Sequence, residues 1–341
     1  MKLSRYVHFS NNPGTGKVYL FSARTCGLAE LDPETEKHLT TGQLEKLPLE
    51  YQEELQRGRV LVPSGQDERG ALLMSMIDAM ASKRHLGLTI VPTTACNFDC
   101  DYCFEAKDQL TFMSERVQDL VIDFIRFKGP EVLSVTWYGG EPLLGMNQLR
   151  RLSRATMELA GENHVKYSSN IVTNGYLLDG DVAEELKGYG VHHAQITLDG
   201  SKTTHNKRRP LKGGGPTFSR ILSNIAAASK HLDIAIRVNV DKRNQHEAIE
   251  VVNTLKSLGV YPDKVSCYIS PVSPSDAGVR SPCHTNTEFA DFAMTMLQDA
   301  CIQGTDCYCL DQFTCDHVCY GEGCNYPEYA PPPCGTDFGP E

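Results

Sequence analysis

Apolar positions change their period along this 341-residue chain. From residue 86 onward, short apolar runs alternate with segments whose apolar residues recur every three or four positions, the mark of strands alternating with amphipathic helices. The runs LGLTIVPTT (86–94), LSVTWYGG (133–140), VKYSSNIVTN (165–174), HAQITLDG (193–200), IAIRVNVD (234–241) and VSCYISPV (265–272) predict strands. Segments such as SERVQDLVIDFIRFK (114–128) and QHEAIEVVNTLKSLG (245–259) predict the intervening helices. Six strand–helix units in about 200 residues imply a parallel sheet rolled into a full or partial barrel. Chemistry in such folds belongs at the carboxyl ends of the strands. Cys96, Gly139, Gly140, Glu141, Asn174, Asp199 and Asp241 all fall at or just past those ends.

The first 84 residues read differently. KVYLFSA (17–23) and a second run near CGLAELD (26–32) predict a hairpin, DPETEKHL and PLEYQEELQRG predict helices, and RVLVP (59–63) predicts a closing strand. That order resembles a small winged helix. GQDERGALLMSMIDAMASKRH (65–85) then carries the chain into the main domain. The expected division is 1–84, 85–285 and a Cys-rich segment 286–341.

Composition narrows the class. With 40% hydrophobic and 22% charged residues the chain can bury a sizeable core. A formal charge of −10 offers no basic footprint for nucleic acid and would be repelled by an anionic membrane surface. No apolar stretch approaches a membrane span, and MKLSRYVHFSNN lacks the apolar segment of a signal peptide. A cytoplasmic protein is expected.

Thirteen cysteines change the picture further. In a large chain without an export signal, tight grouping favours metal or cluster ligation over disulfides. Cys96, Cys100 and Cys103 lie within TTACNFDCDYCFE, and seven more fall between Cys301 and Cys334. Three thiols in one short loop are too many for a nucleophile and one too few for a closed tetrahedral zinc site. A four-iron cluster with three protein thiolates leaves one iron open. Buried free cysteines, or zinc completed by a distant residue, are the alternatives.

CNFDCDYC has the form CxxxCxxC, and by it the chain resembles the radical S-adenosylmethionine (SAM) enzymes, which carry this motif just after the first strand of a partial (β/α)6 barrel. YGGEPLL (138–144) is similar to the second-strand GGEP element and VTNG (172–175) to the third; TLDGSKTTHNKRRP (197–210) resembles the fourth-strand segment of the SPASM subgroup, and RVNVDKRN (237–244) its fifth strand. The resemblance covers residues 86 to about 272 in the family's order. It implies that Cys96, Cys100 and Cys103 hold a [4Fe-4S] cluster whose open iron is chelated by SAM. Reductive cleavage of SAM would yield a 5'-deoxyadenosyl radical that removes hydrogen from a substrate, with the electron coming from a donor such as flavodoxin or ferredoxin. The protein's task is to position the cofactor.

The same resemblance places Tyr102 near the adenine. Gly139 and Gly140 would let backbone approach the ligand, and Glu141 would accept from the methionine ammonium. Asn174, within VTNG, is a further cofactor-binding candidate, as are Thr197, Asp199, Arg209 and Arg237, polar groups suited to ribose hydroxyls and the SAM carboxylate. One departure stands out: His205-Asn206 occupies the place where related enzymes often read His-Asp.

SPASM proteins continue with cysteines for auxiliary clusters, opening with a Cys-Gly pair like Cys334-Gly335. This chain ends seven residues after that cysteine, short of the later cysteines of the subgroup, so it resembles a truncated member. Cys307, Cys309, Cys315, Cys319 and Cys324 are left as ligands of another cluster, of zinc, or as free thiols. A winged-helix-like unit ahead of such a barrel resembles the RiPP recognition element, which binds the leader of a ribosomally made precursor peptide. The expectation is a radical SAM peptide maturase forming a thioether or carbon–carbon crosslink, or an epimerised residue. An anaerobic sulfatase-maturase-like enzyme, or a non-catalytic iron–sulfur protein, is the alternative.

Overall fold

The computed structural model describes residues 1–11, 16–25, 27–81, 84–105 and 110–272, with 282–285, 288–289 and 292–293 beyond them. The described residues fall into two compact units, the first within residues 1–81 and the second from residue 84 onward.

In the first unit, strands β1 (Lys2–Leu3), β2 (Val7–Asn11), β3 (Val18–Ser22) and β4 (Gly27–Leu31) precede helices α1 (Pro33–Thr40) and α2 (Leu49–Arg57), strand β5 (Leu61–Val62) and helix α3 (Glu68–Ala81). β2, β3 and β4 form an antiparallel sheet with β3 central, and β5 pairs with β1. The hairpin expected at 17–32 is therefore two strands of three. Val7 and Phe9 alternate with His8 and Ser10, a period-two signal in VHFSN that the sequence reading passed over. Asp32 caps α1, accepting from the amides of Glu34 and Thr35 at 2.9 Å, with Pro33 pre-set at the first turn. Leu20, Leu39, Leu44, Leu47, Val60 and Leu61 close the small core. Glu68 ties α3 to the chain start by accepting from Ser4 Oγ (2.5 Å) and the Arg5 amide (3.0 Å).

The second unit alternates β6 (His85–Ile90), α4 (Glu115–Lys128), β7 (Val132–Trp137), α5 (Met146–Glu162), β8 (Lys166–Thr173), α6 (Gly180–Gly188), β9 (Val191–Thr197), α7 (Lys202–Arg208), α8 (Phe218–Ala228), β10 (Asp233–Val240), α9 (Ala248–Ser257) and β11 (Val265–Pro271). The six strands pair in chain order and all in parallel, the arrangement of a partial TIM-like barrel. Each parallel pairing needs a crossover, and the amphipathic helices supply it. β7 and β10 bury every second residue, and the helices lay Leu149, Leu152, Leu186, Ile221, Ile225 and Leu255 on the sheet. Each such fully buried side chain contributes about 1.5–3 kcal/mol of transfer free energy. Local signals set the helix limits. Ser114 caps α4 and Gly129, at φ 53°, ends it; Asp179 caps α6.

Because every strand runs the same way, the segments following β6 to β10 emerge at one edge of the sheet. All three cysteines of the 96–103 loop and the GGE turn lie on it. Cys26, Cys301, the cysteines from 307 to 334 and the expected C-terminal extension lie outside the described residues, apart from the few residues named above. No helix among the described residues is long and apolar enough to cross a membrane.

Candidate active site

The cysteine loop is held from both sides. Its first part pairs with the approach to α4: Thr93 bridges Phe112, the Thr94 amide donates to the Thr111 carbonyl (3.0 Å), and the Met113 amide to that of Pro92 (2.8 Å). Its second part forms a short antiparallel ladder with the segment after α7. The Lys212 amide donates to the Asn97 carbonyl (2.8 Å), the Asp99 amide to Pro210 (2.9 Å) and the Asp101 amide to Arg208 (3.1 Å), with Phe98 bridging Leu211. Cys96 and Cys103 are half-buried and Cys100 is buried. The Phe98 amide points at Cys96 Sγ (3.4 Å). Burial pushes the Cys100 thiol up to about 11, against the pull of the Arg209 charge, and raises Cys96 as well. Such thiols stay protonated near neutrality until a metal displaces the proton.

The two glycines after β7 explain why the loop sits where it does. Gly139 has φ +121°, and a Cβ there would lie 2.5 Å from the Thr93 carbonyl oxygen and 2.7 Å from Val91 Cγ1. A Cβ on Gly140 would lie 2.4 Å from the Ala95 oxygen and 2.5 Å from that of Thr94. Both glycines thus lie against the backbone at the start of the cysteine loop, and the Glu141 amide adds a bond there by donating to Ala95 (2.8 Å). Glu141 is fully buried. Its carboxylate accepts from the amides of Leu143 (3.0 Å) and Asn174 (2.7 Å) and from Thr173 Oγ1 (2.7 Å), joining the ends of β7 and β8. Burial nevertheless raises its pKa, with the Asn174 and Leu143 amides acting in the opposite direction. Asn174 reaches the loop, donating to Asn97 Oδ1 (2.7 Å), with its Nδ2 4.0 Å from Cys96 Sγ.

A polar network fills the ends of β9 and β10. Tyr102 Oη donates to Asp199 Oδ2 (2.5 Å) and accepts from Arg209 Nη1 (2.6 Å) and Asn239 Nδ2 (3.1 Å). Burial first, and the Asp199 charge with it, hold the phenol well above its usual pKa despite Arg209. Thus Tyr102, Asp199 and Arg209, all expected at the site, converge. Thr197 ends β9 and is buried beside them in sequence, while Arg237 turns along the sheet to Asn239 Oδ1 (2.8 Å) and Ser270 Oγ (2.7 Å).

Several contributors escaped the sequence reading. Arg208 pairs with Asp241 (2.7 Å) and Asp199 (3.5 Å), and Asn244 donates to the Asp199 and Asn239 carbonyls (3.0 Å each). The signal for Arg208 was the doubled arginine before Pro210. Asn206, the departure noted from the sequence, accepts from the Thr217 and Phe218 amides (2.9 Å each) at the start of α8. An amide oxygen performs this capping as a carboxylate would. His205 accepts the Asp199 amide at Nδ1 (3.2 Å) and lies edge-on to Phe218. Burial, then the Arg209 and Arg208 charges, press its pKa well below the usual histidine value.

Fold and site together define a class: an α/β protein whose parallel six-stranded sheet presents a three-cysteine loop at its carboxyl edge. Residues 90–261, half of the chain, match the Radical SAM superfamily, and the chain belongs to it. Membership supports an enzyme, and the family's cofactors are a [4Fe-4S] cluster and S-adenosylmethionine. The chain is 27% identical over 169 residues to the Fe-coproporphyrin III synthase of Methanosarcina barkeri (48% of this chain, 39% of that protein). It is 26% identical over 171 residues to the serine-type anaerobic sulfatase-maturating enzyme of Klebsiella aerogenes (48% and 42%). The chain thus spans less than half the length of either relative. Its fold is similar to that of Streptococcus suis SuiB bound to precursor peptide SuiA, with a TM-score of 0.51, 13% identity, and 89% and 70% of the two chains covered.

Proposed function

We propose that this chain is a radical SAM enzyme that modifies a ribosomally made precursor peptide, forming a thioether or carbon–carbon crosslink. The observation that carries the reading is the three-cysteine loop braced between two ladders at the carboxyl edge of the sheet. The residues present fit the family's cofactors. Cys96, Cys100 and Cys103 would ligate the cluster: three thiols share one loop, and the Phe98 amide is aimed at a ligand sulfur. Once bound, the cluster and SAM together supply a radical that can remove hydrogen from an unactivated C–H bond. The chain's own groups orient and shield. The GGE turn holds the loop's entrance, Asn174 fixes Asn97, and Tyr102 ties Arg209 to Asp199, with the buried Arg209 Nε left over as a donor suited to an amino-acid carboxylate. Thr197 and Arg237 belong to the same set by position.

A peptide substrate is supported by the fold shared with SuiB, which binds its precursor peptide SuiA. In the first unit, β2 and β4 are the outer strands of their sheet among the described residues, and an extended leader can add to such an edge by main-chain pairing. Residues 1–84 are accordingly assigned to leader binding, 85–285 to the catalytic core and 286–341 to an extension. A flavodoxin- or ferredoxin-like protein would deliver the electron. The likeness to a sulfatase-maturating enzyme favours a second reading, oxidation of one Ser or Cys in a protein substrate.

The test is anaerobic reconstitution. Wild-type chain should bind iron and sulfide and cleave SAM to 5'-deoxyadenosine under reduction, and the triple change of Cys96, Cys100 and Cys103 to Ala should abolish both. Unchanged iron content in that variant removes the reading. Mass spectrometry of candidate peptides then separates the two substrates: loss of two hydrogens with a new crosslink supports the first, and a formylglycine supports the second.

A further inference from the structure

We infer that Arg208 is a positioning residue that sets the cysteine loop against the sheet. The inference draws on the loop being the cluster seat proposed above only for its iron readout.

Arg208 meets the loop in two ways. Its carbonyl accepts the Asp101 amide, the last bond of the ladder along 97–101, and its guanidinium lies 4.9 Å from the Tyr102 ring centroid. The same guanidinium bonds to Asp241 Oδ2 (2.7 Å), reaches the Asn239 carbonyl (3.4 Å) and lies 3.5 Å from Asp199 Oδ2. Asp199 and Asp241 are each 0% exposed and follow different strands, β9 and β10. Without a cation between them, two buried carboxylates are poorly compensated, and the strand ends they follow lose their tie. Arg243 also pairs with Asp241 (2.8 Å) and with Asp101 (3.1 Å), but its side chain is half-exposed, whereas that of Arg208 is buried. Arg209 meets the same loop through the Tyr102 hydroxyl (2.6 Å) and the faces of the Phe98 and Tyr102 rings (5.8 and 5.9 Å). Arg208 thus combines a main-chain bond to the loop, a cationic face on its aromatic ring and a clamp on both strand ends. A lysine at 208 keeps one charge but lacks the planar fork needed to serve two carboxylates while lying over a ring. Placement, more than fold stability, should therefore suffer in Arg208→Lys.

The experiment compares wild type, Arg208→Lys and Arg208→Met as full-length chains, each before and after anaerobic cluster loading. Hydrogen exchange read by mass spectrometry should show peptides spanning 97–103 exchanging about tenfold faster in Arg208→Lys, while peptides within β7 and β8 keep wild-type rates. Iron release to a chelator should be about fivefold faster in loaded Arg208→Lys, since a looser loop opens more often. Arg208→Met should show a larger effect in the same place or fail to fold; the lysine variant decides. Wild-type exchange at 97–103 in Arg208→Lys overturns the inference. So does acceleration spread evenly over the sheet, or global unfolding of that variant, because either marks a merely structural role. If wild type holds no iron, the proposed function fails while the exchange comparison still decides the role of Arg208.

Discussion

Replacing Gly139 by alanine should move the cysteine loop without touching a cysteine. Two costs combine. The backbone at φ +121° lies where side-chain-bearing residues are strained, at a cost of about 1–3 kcal/mol. The added methyl would also meet the Thr93 carbonyl oxygen at 2.5 Å, a backbone atom that cannot rotate away, and overpacking of this kind costs about 1–3 kcal/mol. The sum is about 2–6 kcal/mol against a total stability of about 5–15 kcal/mol for a domain. For a unit of this size each kcal/mol lowers Tm by about 2–4 °C, so a fall of about 4 °C at the least is expected. Part of the strain can be relieved by displacing residues 93–95, which carries Cys96 with them, so iron loading should fall too. Gly87→Ala is the control: it lies in the outer strand β6, its Cβ would meet nothing within 4 Å, and its Tm should be unchanged or slightly raised. Calorimetry of the cluster-free variants, with iron analysis after loading, tests the argument. A Gly139→Ala protein with both the Tm and the iron content of Gly87→Ala would refute it.

Further outcomes are expected at three polar sites. Asn206→Ala should lose about 1 kcal/mol, seen as a Tm lower by about 2–4 °C, because two amides at the start of α8 lose their acceptor; Asn206→Asp should be close to wild type. Glu141→Gln puts an amide group where three donors converge and should destabilise by about 1–3 kcal/mol, measured by urea unfolding; a midpoint equal to wild type would show that the network carries no weight. His205 has a folded pKa below its unfolded value, so between the two the unfolded chain binds the extra proton. Stability should therefore fall as pH drops below about 6.5, by up to about 1.4 kcal/mol per pH unit from this group, and His205→Asn should flatten that slope in unfolding curves taken from pH 7 to 5.

Much of this molecule is local in origin. The strands from β6 to β11 follow from apolar runs, their helices from a period near 3.6, and the helix limits from Asp32, Ser114, Asp179 and Gly129, each acting on its own neighbours. The spacing of Cys96, Cys100 and Cys103 likewise reads along the chain, because a short loop brings thiols together whatever surrounds it. Tertiary structure decided what lies more than a few residues apart. That Gly139 and Gly140 press on Thr93, Thr94 and Ala95, or that Arg208 meets both Asp199 and Asp241, depends on which strands become neighbours and in what register, and neither pairing leaves a periodic mark in the sequence. A glycine signals that room is needed but not what approaches; an arginine signals charge but not its partner. Residues 97–101 and 208–212 form a ladder only because the parallel sheet places the exits of β6 and β9 along one edge, a relation set by burial of the helices on the sheet and by no local rule.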